Sequence, residues 1–514
     1  MDAFLYHLSI GFSAVLAMEP VTLFGITANI PVNLLYCFIG AVIGTLIGVL
    51  PGLGPVATIA MLLPATYALP PLGGLIMLAG IYYGAQYGGS TTAILVNLPG
   101  ETSSVVTCID GYQMARRGRA GVALSTAAIG SFLAGCAGIL LLAAFAVPLA
   151  KVAFKFGPAE YFSLMVLGLI GAVVLASGNL LKAIGMICLG LLGGIVGTDV
   201  NSGVARFTFD VPELSDGIGF VAVAMGVFGF AEVIRNLEQK EHREVFTNKV
   251  TSMFPTREDV KRMIAPMLRG TLLGSALGVL PGGGASLSAF GAYSLEKKMS
   301  RNRAEFGKGA IEGVAAPESA NNAAAQTSFI PLLTLGIPPN PVMALMVGAM
   351  TIHNIQPGPQ VMTTSPTLFW GLIVSMWFGN LMLIILNLPL VGIWVKLLKV
   401  PYKLLYPAIL VFCCIGVYSV NNTVFDVFMT AGFGILGYVF AKLGCEGAPL
   451  MLGFVLGPMM EENFRRSLLL SHGDFSVFFS RPLSLALLCA TALLIVLVAL
   501  PAVKKKRTEA FQEE

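Results

Sequence analysis

The heptapeptide Gly48-Val-Leu-Pro-Gly-Leu-Gly54 returns as Gly278-Val-Leu-Pro-Gly-Gly-Gly284, 278 − 48 = 230 residues later, and each copy interrupts apolar sequence. Glycine admits backbone conformations closed to other residues, and proline withholds an N–H donor and bends the path. At membrane depth no water satisfies a broken backbone, so such a break has to line protein or a protected cavity. Broken segments at corresponding places in a duplicated membrane protein point to a binding site. Freed carbonyls there can coordinate a cation such as Na⁺, and half-helix N-termini present positive dipole ends to an anion. Close packing through small residues is the competing reading for one copy. Two copies favour the site.

Composition places the remainder of the chain in a bilayer. Of 514 residues, 56% are hydrophobic and only 11% charged, against about 25% charge in soluble proteins. Mean hydropathy is +0.82. Spans are expected near 31–50, 73–97, 120–147, 158–176, 179–197, 216–233, 266–280, 318–337, 366–395, 404–420, 424–442 and 482–501. The expected fold class is an all-α polytopic membrane protein. Residues 1–30 should hold a short helix, interfacial or opening a span, with no basic n-region of a signal peptide. A first membrane unit is expected over 31–234 and a charged cytoplasmic linker over 235–264, its basic residues either solvated or on an amphipathic helix. A second membrane unit follows over 265–502, then a tail at 503–514. Lys504-Lys-Lys-Arg507 assigns that tail to the cytoplasm.

Charge placement sets the relation between the units. No Lys or Arg precedes Arg116. Residues 55–71, after the first break, carry no basic residue, whereas Lys297, Lys298, Arg301, Arg303 and Lys308 follow the second. Further on the pattern reverses: Arg116, Arg117 and Arg119 follow Pro99-Gly100, whereas residues 341–395, after Pro338-Pro339-Asn340, carry no Lys or Arg. Equivalent loops on opposite sides of the membrane are the mark of two inverted-topology repeats.

The polar residues beside the breaks are the candidate site. Ser90, Thr91, Thr92, Asn97, Pro99 and Gly100 in the first unit, with Ser319, Asn321, Asn322, Thr334, Gly336 and Pro338 in the second, are the expected substrate contacts. Hydroxyls, amides and peptide dipoles suit a dehydrated carboxylate with no basic residue beside the breaks. Gly52, Gly54, Glu101, Gly282, Gly284 and Glu318 are the expected cation ligands, through backbone or side chain. Intramembrane carboxylates are functional candidates by default. Glu160, behind Gly157-Pro158, is explained by helix N-terminal charge alone, and Asp110 as a cap or a partner of the Arg116 cluster. His353 reads as interfacial. Eight scattered cysteines and four histidines give no CxxC, disulfide framework or zinc pattern. No Gly-Lys-Ser/Thr follows either glycine motif, which disfavours a nucleotide loop.

In these residues the chain resembles the large membrane subunit of tripartite tricarboxylate transporters, the TctA family. The matching stretches are GTLIGVLPGLGP (44–55), YYGAQYGGSTTAILVNLPGETSSVVTCIDGYQMARRGRA (82–120), GPAEYFSLMVLGL (157–169), GVLPGGGA (278–285), GVAAPESANNAAAQTSFIPLLTLGIP (313–338), YSVNNTVFDV (418–427) and APLMLGFVLGPMMEENFRRSL (448–468). The least typical stretch, about 19–30, reads as a small insertion.

The resemblance implies a permease of the bacterial inner membrane with an elevator-type ion-transporter fold of paired re-entrant hairpins. It also implies two partners, a small four-helix membrane subunit and a periplasmic solute-binding protein. The implied function is symport of citrate or another carboxylate with Na⁺ or H⁺. No other cofactor and no nucleic acid is expected. An intramembrane enzyme is disfavoured, since the chain has no GxGD, HExxH or Ser–His arrangement. A passive anion channel gives no reason for paired breaks and mirrored charge.

Overall fold

Glycine recurs every fourth residue at Gly40, Gly44 and Gly48, and again at Gly270, Gly274 and Gly278. On a helix that spacing makes one continuous stripe, and small residues let two backbones approach closely. The computed structural model describes residues 2–23, 26–50, 54–175, 179–199, 202–238, 253–282, 284–397 and 402–499, and it uses both stripes this way.

The chain opens with helix α1 (Asp2–Leu16) and an antiparallel hairpin of β1 (Met18–Leu23) and β2 (Ile26–Pro31). Then follow α2 (Val32–Val49), α3 (Pro55–Tyr67), α4 (Pro71–Val96), α5 (Ala120–Ala153), α6 (Pro158–Leu175), α7 (Leu180–Gly194) and α8 (Phe220–Glu238). Next come α9 (Arg257–Val279), α10 (Gly284–Met299), α11 (Glu312–Thr327), α12 (Phe329–Leu335), α13 (Pro341–Ile352) and α14 (Pro366–Asn387). The chain continues through α15 (Val391–Leu397), α16 (Tyr402–Asn421), α17 (Val424–Lys442), α18 (Gly447–Leu470) and α19 (Pro482–Ala499). A second small hairpin pairs β3 (Gly197–Thr198) with β4 (Ala205–Arg206). Five described helical segments, Val32–Val49, Ala115–Ala153, Phe220–Glu238, Pro366–Asn387 and Val424–Lys442, are long and apolar enough to cross a membrane. The protein is a multi-pass membrane protein of helical architecture.

Along the first stripe α2 meets α4. A Cβ on Gly40, Gly44 or Gly48 would stand 2.3–2.5 Å from the carbonyl oxygens of Met77, Ile81 and Ala85 in turn. Contacts that advance together on both helices mean that α2 and α4 run parallel, so α3 between them turns back. The second stripe repeats the arrangement, with Gly270, Gly274 and Gly278 set against Ala316, Ala320 and Ala324 of α11. In α4 every residue from Gly73 to Val96 is buried, and in α11 all sixteen are. These two helices form the centre, with α5 and α14 packed around them.

Four elements escape the hydropathy reading. α3, α10, α13 and α18 were not among the expected spans, α3 having only thirteen residues. Glu296, Lys297 and Lys298 on α10, and Glu461 through Arg466 on α18, dilute their apolar sequence, while α13 has only twelve residues. α9 starts at Arg257, earlier than the expected span at 266, because Thr256 builds a capping box with Asp259 and its polar turns find partners. Arg262 pairs with Glu312 at 2.8 Å, and Arg269 with Glu296 at 2.7 Å. Burial pushes the Asp259 carboxyl up, but the Arg119 guanidinium and the Thr256 cap outweigh it and hold it below the ordinary range. The stretch near 19–30 that reads as an insertion is the β1–β2 hairpin. Lys504–Arg507 and the 239–252 part of the charged linker lie outside the described residues.

Gly44→Leu and Gly274→Leu are expected to prevent monodisperse extraction in detergent, because their Cβ atoms would meet main-chain oxygen at 2.5 and 2.1 Å. Gly432→Leu, where nothing lies within 4 Å, should behave as wild type in size-exclusion chromatography.

Candidate functional site

α4 ends at Asn97, which takes the left-handed conformation (φ 56°, ψ 30°), and α12 ends at Gly336 in the same conformation (φ 74°, ψ 18°). A left-handed C-terminal residue closes the last turn, and glycine and asparagine tolerate it best. Four residues after each stop the chain restarts from an extended N-cap, Glu101 (φ −150°, ψ 168°) and Asn340 (φ −150°, ψ 170°). Glu101 forms a capping box with Ser104, and Asn340 Oδ1 accepts from the Met343 amide at 3.0 Å. Pro99 and Pro338 lie in the intervening turns.

Each of these turns abuts its glycine motif. A Cβ on Gly100 would lie 2.0 Å from the Gly48 oxygen, so only glycine fits there. The Gly282 amide donates to the Pro339 oxygen at 2.7 Å. Gly282 and Gly284 both have positive φ, whereas Gly54 is the extended N-cap of α3. Gly52 lies outside the described residues. The two pairs of breaks also adjoin, since the Thr102 and Ser286 hydroxyls are 2.6 Å apart.

Behind the breaks, α4 and α11 share a buried polar network. Glu318, completely buried, accepts from the Ser90 hydroxyl at 2.6 Å and from the Thr107 hydroxyl. Asn321 donates to Ser103 Oγ at 3.3 Å, and Ser103 in turn reaches Gln86 Oε1 at 2.8 Å and the Glu101 carboxylate. Asn322 donates to Ser131 on α5 at 2.7 Å. Among the described residues no ion pair reaches Glu101 or Glu318, although Glu160, Glu296 and Glu312 all have arginine partners. Burying an ion costs several kcal/mol, and the partners these two carboxyls have among the described residues are hydroxyls and amides. Ser319 Oγ, Asn322 Oδ1 and both amide atoms of Gln326 are buried without a protein partner. They line the α11 face toward α5, where Gly130 and Gly138 leave room.

The expected site residues therefore separate into groups. Ser90, Ser319, Asn321, Asn322, Glu101 and Glu318 belong to the network or border it. Thr91 lies beside it, in the wall of a small cavity. Thr92 donates to the Val49 oxygen at 2.7 Å and ties α4 to the end of α2. Thr334 bonds back to Ile330 at 2.6 Å and takes no part in it. Asn97, Pro99, Gly100, Gly336 and Pro338 shape the turns, with Asn97 exposed. Sequence reading passed over Gln86, Ser103, Thr107 and Ser131. Gln86, Ser103 and Thr107 stand inside the quoted stretch 82–120, but nothing in the chain marks Ser131, which arrives from α5.

Asp110 does not pair with the Arg116 cluster. Its carboxylate accepts from the amides of Gly309 and Ala310 at 2.7 and 2.9 Å and from the Tyr293 hydroxyl at 2.9 Å. It is thus a cap, and one that locks the first part of the chain to the second. Glu160 caps the Gly157 amide at 2.9 Å and pairs with Arg481. His353 stacks on Tyr67.

One cavity adjoins the network and a second lies near the Gly336 turn. The first, of about 10 Å³, is bounded by Tyr87, Ser90, Thr91, Ser131 and Asn387, with Leu124, Ala127 and Ala128. The other, about 220 Å³, lies beside Leu335, next to the Gly336 turn, and is walled by Tyr161, Gln356, Gln360, Asn463 and Arg466 among others.

A multi-pass helical protein with paired breaks around a buried polar centre belongs to the membrane transporters by architecture. Comparison with known proteins is specific: residues 34–452 match the tripartite tricarboxylate transporter TctA family, and the chain belongs to it. That is a family of transporters, not of enzymes. The chain is 59% identical over 488 residues to an Agrobacterium vitis protein described as "Uncharacterized 52.8 kDa protein in TAR-I ttuC' 3'region", covering 95% of this chain and 97% of that one. A second Agrobacterium vitis protein, "Uncharacterized protein in TAR-II ttuC' 3'region", is 59% identical over 241 residues, 47% of this chain and all of its own length. No solved structure matches the chain.

Asp110→Ala would orphan the buried Ala310 amide, at a cost of about 1–3 kcal/mol, and the half-buried Gly309 amide. It is expected to lower the melting temperature by several degrees, whereas Arg116→Ala leaves it unchanged. Thermal melts of the detergent-solubilised protein read both.

Proposed function

We propose that this chain is the large permease subunit of a binding-protein-dependent tripartite transporter. On this reading it imports a di- or tricarboxylate of the citrate kind across the bacterial inner membrane, coupled to Na⁺ or H⁺. A periplasmic binding protein delivers the substrate, and a small four-helix membrane subunit completes the complex. The observation that carries the reading is the network of hydroxyls, amides and two buried carboxylates at the breaks, without a basic partner among the described residues. Such a centre needs a cation or proton to neutralise it, and the helix ends beside it can receive an anion.

The architecture we infer is that of two inverted-topology repeats. The glycine stripes are offset by 270 − 40 = 230 residues, and the left-handed stops by 336 − 97 = 239. Each half sends a helix to a break, returns, and lays a third helix parallel to the first. With the basic clusters at non-equivalent positions, the two hairpins enter from opposite faces, and the C-terminus is cytoplasmic. Movement of one unit past the other, as in elevator-type transporters, then carries the substrate across. The 10 Å³ cavity beside Ser90 cannot hold a tricarboxylate, so binding requires the breaks to part. The 220 Å³ cavity beside Leu335 supplies an antechamber, with Arg466 to attract the anion.

Reconstitution of the three components tests the reading. Concentrative uptake that requires a cation gradient and the binding protein supports it, while downhill flux needing neither would identify a passive channel. Asn97→Ala, Ser319→Ala and Asn322→Ala are each expected to reduce uptake at least tenfold with normal membrane abundance. Wild-type rates in all three would remove these residues from the site.

A further inference from the structure

The cavity between α4, α5 and α14 has the chemistry of a monovalent-cation site distinct from the glycine breaks. Its wall holds four hydroxyl groups, on Tyr87, Ser90, Thr91 and Ser131, and the side-chain amide of Asn387. Asn387 is 4% exposed. Its Nδ2 donates to the Leu383 oxygen at 2.9 Å, which fixes the amide orientation and leaves Oδ1 buried without a protein partner. An oxygen sealed away like this lacks a counterpart worth about 1–3 kcal/mol, and a ligand in the cavity would supply one.

The remaining hydroxyls are set to turn oxygen lone pairs inward. Tyr87 spends its proton on Asn380 Oδ1 at 2.7 Å, and Ser90 gives its proton to Glu318 at 2.6 Å. Ser131 gives its proton to the Glu318 main-chain oxygen at 3.4 Å and accepts from Asn322 at 2.7 Å. A group whose proton is engaged elsewhere can only accept or coordinate. Leu124, Ala127 and Ala128 close the other side with hydrocarbon, which strengthens any charge interaction inside.

Size and charge narrow the occupant. About 10 Å³ admits the centre of one water-sized sphere, so the ligand is a single small species. The donors are all hard oxygens, and among the described residues the carboxylate that a cavity hydroxyl reaches is Glu318, through Ser90. A divalent ion prefers six or more oxygens, with carboxylates among them. We propose that Tyr87, Ser90, Thr91, Ser131 and Asn387 form a binding site for a bare monovalent cation of Na⁺ size, charge-balanced through Ser90 by Glu318. The inference deepens the transport reading by placing a coupling ion, and it moves Ser90 and Thr91 from substrate contact to cation site.

The purified subunit in detergent tests this without transport. NaCl at constant ionic strength, replacing choline chloride, is expected to raise the melting temperature by about 3 °C at a hundredfold excess over Kd, with KCl giving less than a third of that. Asn387→Leu should abolish the Na⁺ shift. Asn387→Asp, which places a carboxylate on the same wall, should lower the half-saturating Na⁺ concentration at least tenfold. A wild-type protein indifferent to Na⁺, as for a cavity holding water only, would overturn the site. So would equal Na⁺ responses in wild type, Asn387→Leu and Asn387→Asp. If the leucine variant does not fold, the aspartate variant decides alone. Carboxylate uptake driven by protons, with no Na⁺ shift, would reject this site and leave the transport reading standing. A Na⁺ shift in a complex that transports no carboxylate would do the reverse.

Discussion

A carboxylate sealed from water without a basic partner is the constraint to which the centre of this protein is fitted. Glu318 lies in the middle of α11, and its two hydroxyl donors come from α4 and from the turns after the Asn97 stop. Neither donor is local in sequence. They reach Glu318 only because α4, α5 and α11 are held within side-chain hydrogen-bond range, and that spacing is set by backbone contact along glycine and alanine stripes. Larger residues on α2 or α9 would push α4 and α11 outward and leave the charge unsolvated. Close packing and polar chemistry therefore depend on each other here.

The two stops show how one backbone requirement is met by different side chains. Asn97 and Gly336 share a left-handed conformation, and Glu101 and Asn340 share an extended N-cap. Asparagine and glycine are interchangeable at the first position for steric reasons. Glutamate and asparagine both cap a helix but differ by a full charge. The backbone geometry is thus matched while the electrostatics are not: one break carries a carboxylate and the other an amide.

Much of this was legible before any coordinates, and the limits are physical. The breaks announced themselves because glycine and proline have few reasons to recur in apolar sequence. Glu318, Asn321 and Asn322 were legible because polar residues in a buried helix need partners. Thr107 and Ser131 were not, since a lone threonine or serine on a helix normally bonds its own backbone, and only the fold reveals otherwise. α10 and α18 were missed because their charged ends find partners across the structure, which an average over sequence cannot register. Thr334 misled for the opposite reason: it stands beside the Gly336 turn, yet it bonds back to Ile330.

On the transport reading, the same network explains how a centre this closed could open. Ser90 already lies 3.1 Å from the Gln86 oxygen of its own helix, so losing Glu318 leaves its hydroxyl satisfied. Helical threonines have the same recourse. Separation of α4 from α11 would therefore strand the carboxylate of Glu318, in a centre where Ser319 Oγ, Asn322 Oδ1 and both amide atoms of Gln326 have no protein partner even when closed. What an opened centre lacks is positive charge or a proton. Opening is then favourable only when a cation arrives to replace the lost donors, which ties movement of the chain to occupancy by an ion without any basic residue at the core.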